Sequence, residues 1–280
     1  MLCICSARTR TSYFLRHLVL TLTLCTRLYT VHKIKPSMLP HHERKRSRFN
    51  ERFKTLNDIF DVSTEELLWK LISAGYIDGL EGPLSMGKEA NVFTAKAGDE
   101  QRIVKIYRVM TCDFKRMYEN IAGDPRFLGM HRSRRDVVHT WCQREFRNLL
   151  KAREAGCSVP TPFVAKENVL IMECVGGLIP AQKLNKKLPS LLKSFVGDVV
   201  KNMRLLYKAG LVHGDLSQFN ILNNEDKPVL IDFSQATTKE NPNFEEYFLR
   251  DIRNVANFFT KQGVNITEKE LRDKITKIYK

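Results

Sequence analysis

The stretch "LVHGDLSQFNIL" (Leu211–Leu222) places His213, Asp215 and Asn220 in a short polar segment between two apolar runs. Just downstream, "NNEDK" reads as a turn and "PVLIDF" as a buried strand ending near Asp232. A carboxylate, an amide oxygen and a second carboxylate, delivered by a loop and a hairpin, are hard oxygen ligands. Such a set suits Mg²⁺ with a bound phosphate, with Asn220 and Asp232 as the metal candidates. The remaining carboxylate, Asp215, can accept a proton or orient a nucleophile. Taken singly, Asp215 also fits a turn cap and Asp232 a solvated strand end. The ordered set points to phosphate chemistry, and the rest of the chain tests that reading.

A site that handles phosphates needs a cation. Lys105 in "RIVKIY" is the candidate, because it lies inside an apolar strand where an ammonium needs a partner. The helical pattern from Val137 to about Ala155 offers one. Val138, Cys142, Glu145, Leu149 and Ala152 recur at helical spacing, which puts Glu145 on the apolar face. Arg144, Arg147 and Lys151 fall off that stripe. A Lys105–Glu145 pair accounts for both misplaced charges, although two side chains whose heads reach solvent would also fit. Before the lysine, "SMGKEANVF" (Ser85–Phe93) holds one glycine, Gly87. One glycine still permits a tight turn, and Ser85, Lys88 and backbone N–H groups can hold phosphate oxygens, with Val92 following. "VLIMECVGG" reads as an extended crossing whose Glu173 and Val175 backbone groups point the same way, as an adenine edge requires. An ordinary buried strand before a Gly-Gly turn fits the same residues.

The flanks are read by pattern. "STEELLWKLISAGY" is expected to be a helix with a Ser63–Glu66 capping box, a stripe of Leu67, Leu68, Leu71 and Ile72, and a stop at Gly75. "NVFTAKA", "GDE" and "QRIVKIYRV" read as a β-hairpin. Thr111–Asp136 is long, charged and weakly periodic, and reads as a mobile insertion with a helical piece. "SVPTPFVAKENVLIMECV" supplies two strands, Gly176–Pro189 a linker, and "SLLKSFVGDVVKNMRLLYKAG" an amphipathic helix. The chain from Asn243 reads as helical. The expected class is α+β: a helical segment over 43–83, a strand-rich lobe over 84–175 and a helix-rich lobe over 176–280.

The chain of 280 residues is long enough for two lobes with a substantial core, and its net charge of +15 favours polyanionic partners. Seven scattered cysteines without CxxC spacing argue against a zinc site or a disulfide framework, and for a reducing compartment. No apolar run reaches membrane-spanning length. Residues 1–42 are basic, with no acidic residue before Glu43 and the short apolar "LVLTLTLC" (Leu18–Cys25). A targeting segment fits them; the preferred reading is an extension upstream of a true start at Met38. "HHERKRSRFNERFK" (His41–Lys54) is expected to be a solvated basic arm.

The ordered set H-G-D-x-x-x-x-N, hairpin, I-D-F resembles the catalytic and metal loops of protein kinases. Together with "SMGKEANVF", "VKIYRV", "GDPRFLG", "TWCQREFRNLLKAREAG", "LIDFSQA" and "LRDIRNVANFF" it resembles the RIO family of atypical serine/threonine kinases, of the first-type branch and archaeal kind. The resemblance runs from about Ser63 to the end. It implies a two-lobed kinase fold without activation loop or peptide platform, since no complete D-F-G or A-P-E follows Asp232. It also implies ATP and Mg²⁺, with Asp215 as catalytic carboxylate, Asn220 and Asp232 as metal ligands and Lys105 on the phosphates. Autophosphorylation, ATPase activity, a phosphoaspartate at Asp232, and a place on the pre-ribosomal small subunit and its rRNA go with it. So does a cytoplasmic monomer without membrane contact. Gly214 departs from the alanine frequent there. A non-catalytic ATP-binding assembly factor and a small-molecule phosphotransferase of the aminoglycoside or choline type are the alternatives.

Overall fold

The computed structural model describes residues 60–277, Leu128 and Met130 excepted. The expected basic extension, Met38 and the basic arm lie outside the described residues. From Phe60 onward the chain is one compact unit. Its first helix, α1 (Val62–Ser73), buries Leu67, Leu68, Leu71 and Ile72. The capping residue differs from expectation. Asp61, in extended conformation, accepts a hydrogen bond from Thr64 N–H at 2.9 Å, whereas Ser63 is already helical. An ionised carboxylate two residues ahead supersedes the serine as acceptor.

Gly75 adopts φ +79° and turns the chain towards a five-stranded antiparallel sheet of order β1-β2-β3-β5-β4. β1 (Gly79–Met86) begins ahead of the expected lobe boundary at Leu84. Its register slips twice, between Leu80 and Gly82 and between Pro83 and Ser85, and only Leu80 is buried. β2 (Ala90–Ala97) and β3 (Glu100–Tyr107) form the expected hairpin, closed by Gly98 at φ +62° and Asp99. Val92 pairs with Lys105, which in turn pairs with Leu170, so Lys105 lies on a central strand.

The segment after β3 carries a packed helix, α2 (Phe114–Ala122), with Met117 and Ile121 buried, and then a short 3-10 turn at Pro125–Phe127. α3 (Arg134–Glu154) starts three residues before the expected Val137, because Ser133 accepts a hydrogen bond from Asp136 N–H at 3.1 Å and so caps it. Arg144 on this helix is buried. The apolar-stripe reading placed it outside the core. That reading counted one covering surface, the sheet, and the insertion supplies a second. β4 (Pro162–Lys166) and β5 (Val169–Glu173) complete the sheet.

The linker contains β6 (Gln182–Lys183), which pairs with a later strand. α4 (Leu192–Lys208) buries Phe195, Val196, Val199, Val200, Met203 and Leu206, each removal of such a side chain from water contributing about 1.5–3 kcal/mol. β7 (Leu211–Val212) leads into the polar stretch, and β8 (Ile221–Asn224) with β9 (Lys227–Leu230) forms the hairpin after it. Glu225 and Asp226 both take positive φ in its turn. β10 (Thr237–Thr238) pairs with β7, and α5 (Phe244–Lys261) and α6 (Glu268–Thr276) close the helical lobe. No helix among the described residues is long and apolar enough to cross a membrane.

Candidate active site

Lys105 sits at the centre. Its Nζ lies 2.9 Å from Glu145 Oε2, 3.0 Å from Glu145 Oε1 and 2.9 Å from Asp232 Oδ1. The pairing follows from sequence position: β3 aims the ammonium inwards and α3 carries Glu145 on the face that packs against the sheet. Burial disfavours the ammonium, but the Asp232 and Glu145 carboxylates outweigh that and hold Lys105 above its ordinary value. Glu145 is fully buried, so burial pushes its carboxyl up although Lys105 counters it, and Tyr107 Oη donates to Oε2. At Asp232 burial is overridden by Lys105 and by Ser234 Oγ, which donates to Oδ1 at 2.8 Å; the carboxyl is held well below the usual range.

The loop Leu211–Leu222 is pinned from beneath. His213 Nε2 lies 2.9 Å from Ile231 O, tying it to the strand before Asp232. Asp251 on α5 accepts from Gly214 N–H and Leu216 N–H, both at 2.8 Å, on either side of Asp215. Asn220 donates its amide N–H to Asp215 O at 2.9 Å and to Asp215 Oδ2 at 3.2 Å, so its Oδ1 remains the oxygen for a cation. Burial raises the Asp215 carboxyl above its ordinary value. Gly214 has φ +78°, and a Cβ there would meet Gln235 O at 2.8 Å, which explains glycine at this position.

A cavity of about 880 Å³ opens above these groups. It brings together Ser85, Gly87, Lys88, Val92, Lys105, Glu145, Glu173, Val175, Asn220 and Asp232. Asp215 is not among its lining residues and stands beside it, next to Asn220. Gly87 is needed for the turn: its N–H bonds Ala90 O at 3.0 Å, and a Cβ would meet that oxygen at 2.8 Å. The Glu173 carboxylate accepts from Thr161 N–H and Oγ at 2.9 and 2.7 Å, which leaves backbone as its contribution to the cavity.

The volume is that of a small-molecule site, lined by apolar side chains (Val92, Ile103, Met172, Leu222) as well as by the charged groups. Among the described residues no three His, Cys, Asp or Glu side chains gather into an all-protein metal centre. Asn220 and Asp232 are instead a partial set of hard oxygens, of the kind completed by phosphate oxygens and water around Mg²⁺. The donor chemistry therefore fits a nucleotide with its cation.

Sequence reading missed three supports. Asp251 interrupts the apolar stripe Phe248, Ile252, Val255, the same signal that exposed Glu145. Asn148, fully buried on α3, bonds the backbone after Asp232. Glu89 lines the cavity, and burial raises its carboxyl; no periodic pattern marks it.

Comparison with known proteins shows the family. The family model RIO1, RIO domain, matches residues 91–271. The RIO-type serine/threonine-protein kinase Rio1 of Haloferax volcanii is 41% identical over 235 residues, 83% of this chain and 81% of that one. Its namesake from Methanocaldococcus jannaschii is 42% identical over 234 residues, 83% and 80% of the two chains. A solved structure, the Rio2 kinase-ADP/Mg²⁺-phosphoaspartate complex from Chaetomium thermophilum, superposes with a TM-score of 0.56 at 21% identity, covering 76% of this chain and 66% of that one. That likeness is one of fold. Family match, relatives and the two-lobed architecture converge: the chain belongs to the RIO family of atypical serine/threonine protein kinases.

Proposed function

We propose that this protein uses ATP with Mg²⁺ to phosphorylate itself and to hydrolyse ATP, as a switch in maturation of the small ribosomal subunit. The observation that carries the chemistry is the Lys105 ammonium held within 3.0 Å of both Glu145 and Asp232 at the floor of the cavity. Bound ATP·Mg²⁺ supplies an electrophilic γ-phosphorus whose charge the cation partly neutralises. The chain's own groups do the rest. Val92, Ile103, Met172 and Leu222 wall the base; Ser85, Lys88 and Lys105 hold phosphate oxygens; Asn220 Oδ1 and Asp232 hold the cation. Asp215 orients the attacking hydroxyl and takes its proton.

Asp232 is also the candidate acceptor. Its carboxylate oxygen bonds the γ-phosphorus as the bond to ADP breaks, and water then cleaves the acyl phosphate to carboxylate and inorganic phosphate. The phosphoaspartate named in the Rio2 complex supports this choice. The net charge of +15 supports contact with rRNA in the pre-ribosomal subunit, with affinity that falls as salt rises. A cytoplasmic monomer suits that role.

Incubation with γ-labelled ATP tests the reading. Asp215→Ala is expected to abolish the hydroxylamine-stable label, which needs a deprotonated hydroxyl, while ATP still binds; unchanged hydroxylamine-stable label refutes its role. Label lost to hydroxylamine marks Asp232, whereas wholly acid- and hydroxylamine-stable label excludes it. Turnover at background would make the nucleotide a conformational ligand only.

A further inference from the structure

The left-handed backbone of Asp232 (φ +64°, ψ +69°) is the starting point. Such a conformation at a non-glycine residue is strained and persists only where its surroundings over-determine it. The backbone of the 3-10 turn that follows, Phe233–Gln235, is held by the side chain of Asn148. Asn148 donates its amide to Phe233 O at 3.0 Å and to Ala236 O at 2.7 Å, spanning the turn. Its amide oxygen accepts from Arg126 Nη1 at 2.9 Å. The chemistry allows one orientation. Both turn carbonyls only accept and a guanidinium only donates, so Arg126 locks the Asn148 amide with its NH₂ towards the turn.

Arg126 is itself fixed. Its Nε and Nη2 reach the two oxygens of buried Asp124 at 2.9 and 2.6 Å. Both residues come from the insertion between β3 and α3, and that segment touches the same turn again where Arg116 Nη2 donates to Gln235 Oε1 at 3.3 Å. A chain of hydrogen bonds thus runs from the insertion through α3 to the turn that directly follows the metal carboxylate.

We propose that Asn148 and Arg126 are positioning residues that set the Asp232 carboxylate for its cation, so that docking of the insertion controls Mg²⁺ affinity. This rests on the Mg²⁺-nucleotide reading of the cavity. The test is ADP binding to the full-length protein by calorimetry, with Mg²⁺ and with a chelator. Asn148→Ala is expected to weaken Mg²⁺-dependent binding by about tenfold or more, as loss of an outer support of a metal site does, and to leave Mg²⁺-free binding unchanged. Asn148→Asp, which keeps the Arg126 bond but loses both donors, should match it. Arg126→Ala should give a smaller loss, about threefold, in the same quantity. The double variant Arg126→Ala/Asn148→Ala should be no weaker than Asn148→Ala, because the two act in series.

Equal losses with and without Mg²⁺, or additive losses in the double variant, would overturn the proposal. So would an Arg126→Ala protein with wild-type Mg²⁺ dependence. Should Asn148→Ala not fold, Arg126→Ala, on a side chain a quarter exposed, carries the test alone. A wild type whose ADP binding ignores Mg²⁺ defeats the parent reading instead, and the wild-type titration tells the two failures apart.

Discussion

Helix α3 carries two buried charges side by side, and they are treated in opposite ways. Glu145 faces the sheet, where Lys105 meets it at 2.9 Å and Tyr107 donates a second hydrogen bond. Arg144 faces the insertion, where its Nε lies 3.4 Å from Asp124 Oδ2 and none of its three guanidinium nitrogens finds a hydrogen-bond acceptor among the described residues. Burial lowers Arg144 to about 10, so it is still charged at neutral pH. The first cluster has geometry as well as charge balance; the second has little more than charge balance. A fully satisfied buried network fixes positions, as a catalytic centre requires. A loosely satisfied one holds two segments together and tolerates replacement by apolar groups.

Breaking the first cluster should have the largest effect. Lys105→Met is expected to lower ATP turnover by about 100-fold or more and to destabilise the fold by about 3–5 kcal/mol, since Glu145 loses its counter-ion. Turnover assays and urea unfolding read the two losses. The second cluster should answer asymmetrically. Asp124→Ala strands the Arg144 charge and is expected to cost about 3 kcal/mol, whereas Arg144→Met removes the misfit charge and should cost under about 1 kcal/mol or stabilise. Equal losses in Lys105→Met and Arg144→Met would erase the contrast.

The titration of the two loop carboxylates sharpens it further. The Asp215 carboxyl is raised above 3.8 by burial, while Asp232 is lowered. In the proposed mechanism Asp215 must be ionised to take a proton, so turnover should fall as pH drops through its raised value, with the slope of one proton. Asp232 stays ionised across that window. A two-proton slope in the rate profile would show that the Lys105 cluster fails to separate the two carboxylates. A small effect belongs to the edge of the fold: Asp61→Ala should lower stability by about 1 kcal/mol through loss of the α1 cap, with turnover unchanged in the same assay.

Sequence periodicity revealed the site where one covering surface decides the pattern. Glu145 was visible as a charge on an apolar stripe, and Lys105 as a charge inside an apolar strand. Asp251 carries the same signal among Phe248, Ile252 and Val255, in a segment read only as helical. Arg144 was misread for a different reason: what buries it is the insertion, a contact across the chain that local spacing does not encode. β1 escaped because its two register slips and exposed residues destroy the alternation that marks a half-buried strand. The α1 cap was misplaced by two residues because both Asp61 and Ser63 are good acceptors and backbone conformation chooses between them.

Gly214 has a consequence for how finely the centre can be adjusted. The loop carrying Asp215 and the turn after Asp232 meet so closely there that one added carbon would sit 2.8 Å from Gln235 O, nearer than real carbon–oxygen contacts allow. The gap between the loops is thinner than a methyl group, so a larger residue can be admitted only by sliding one loop against the other. Asp215 rides on one loop and Asp232 on the other. The thickness of a single position outside the cavity lining therefore acts as a gauge, setting how far apart the two carboxylates stand.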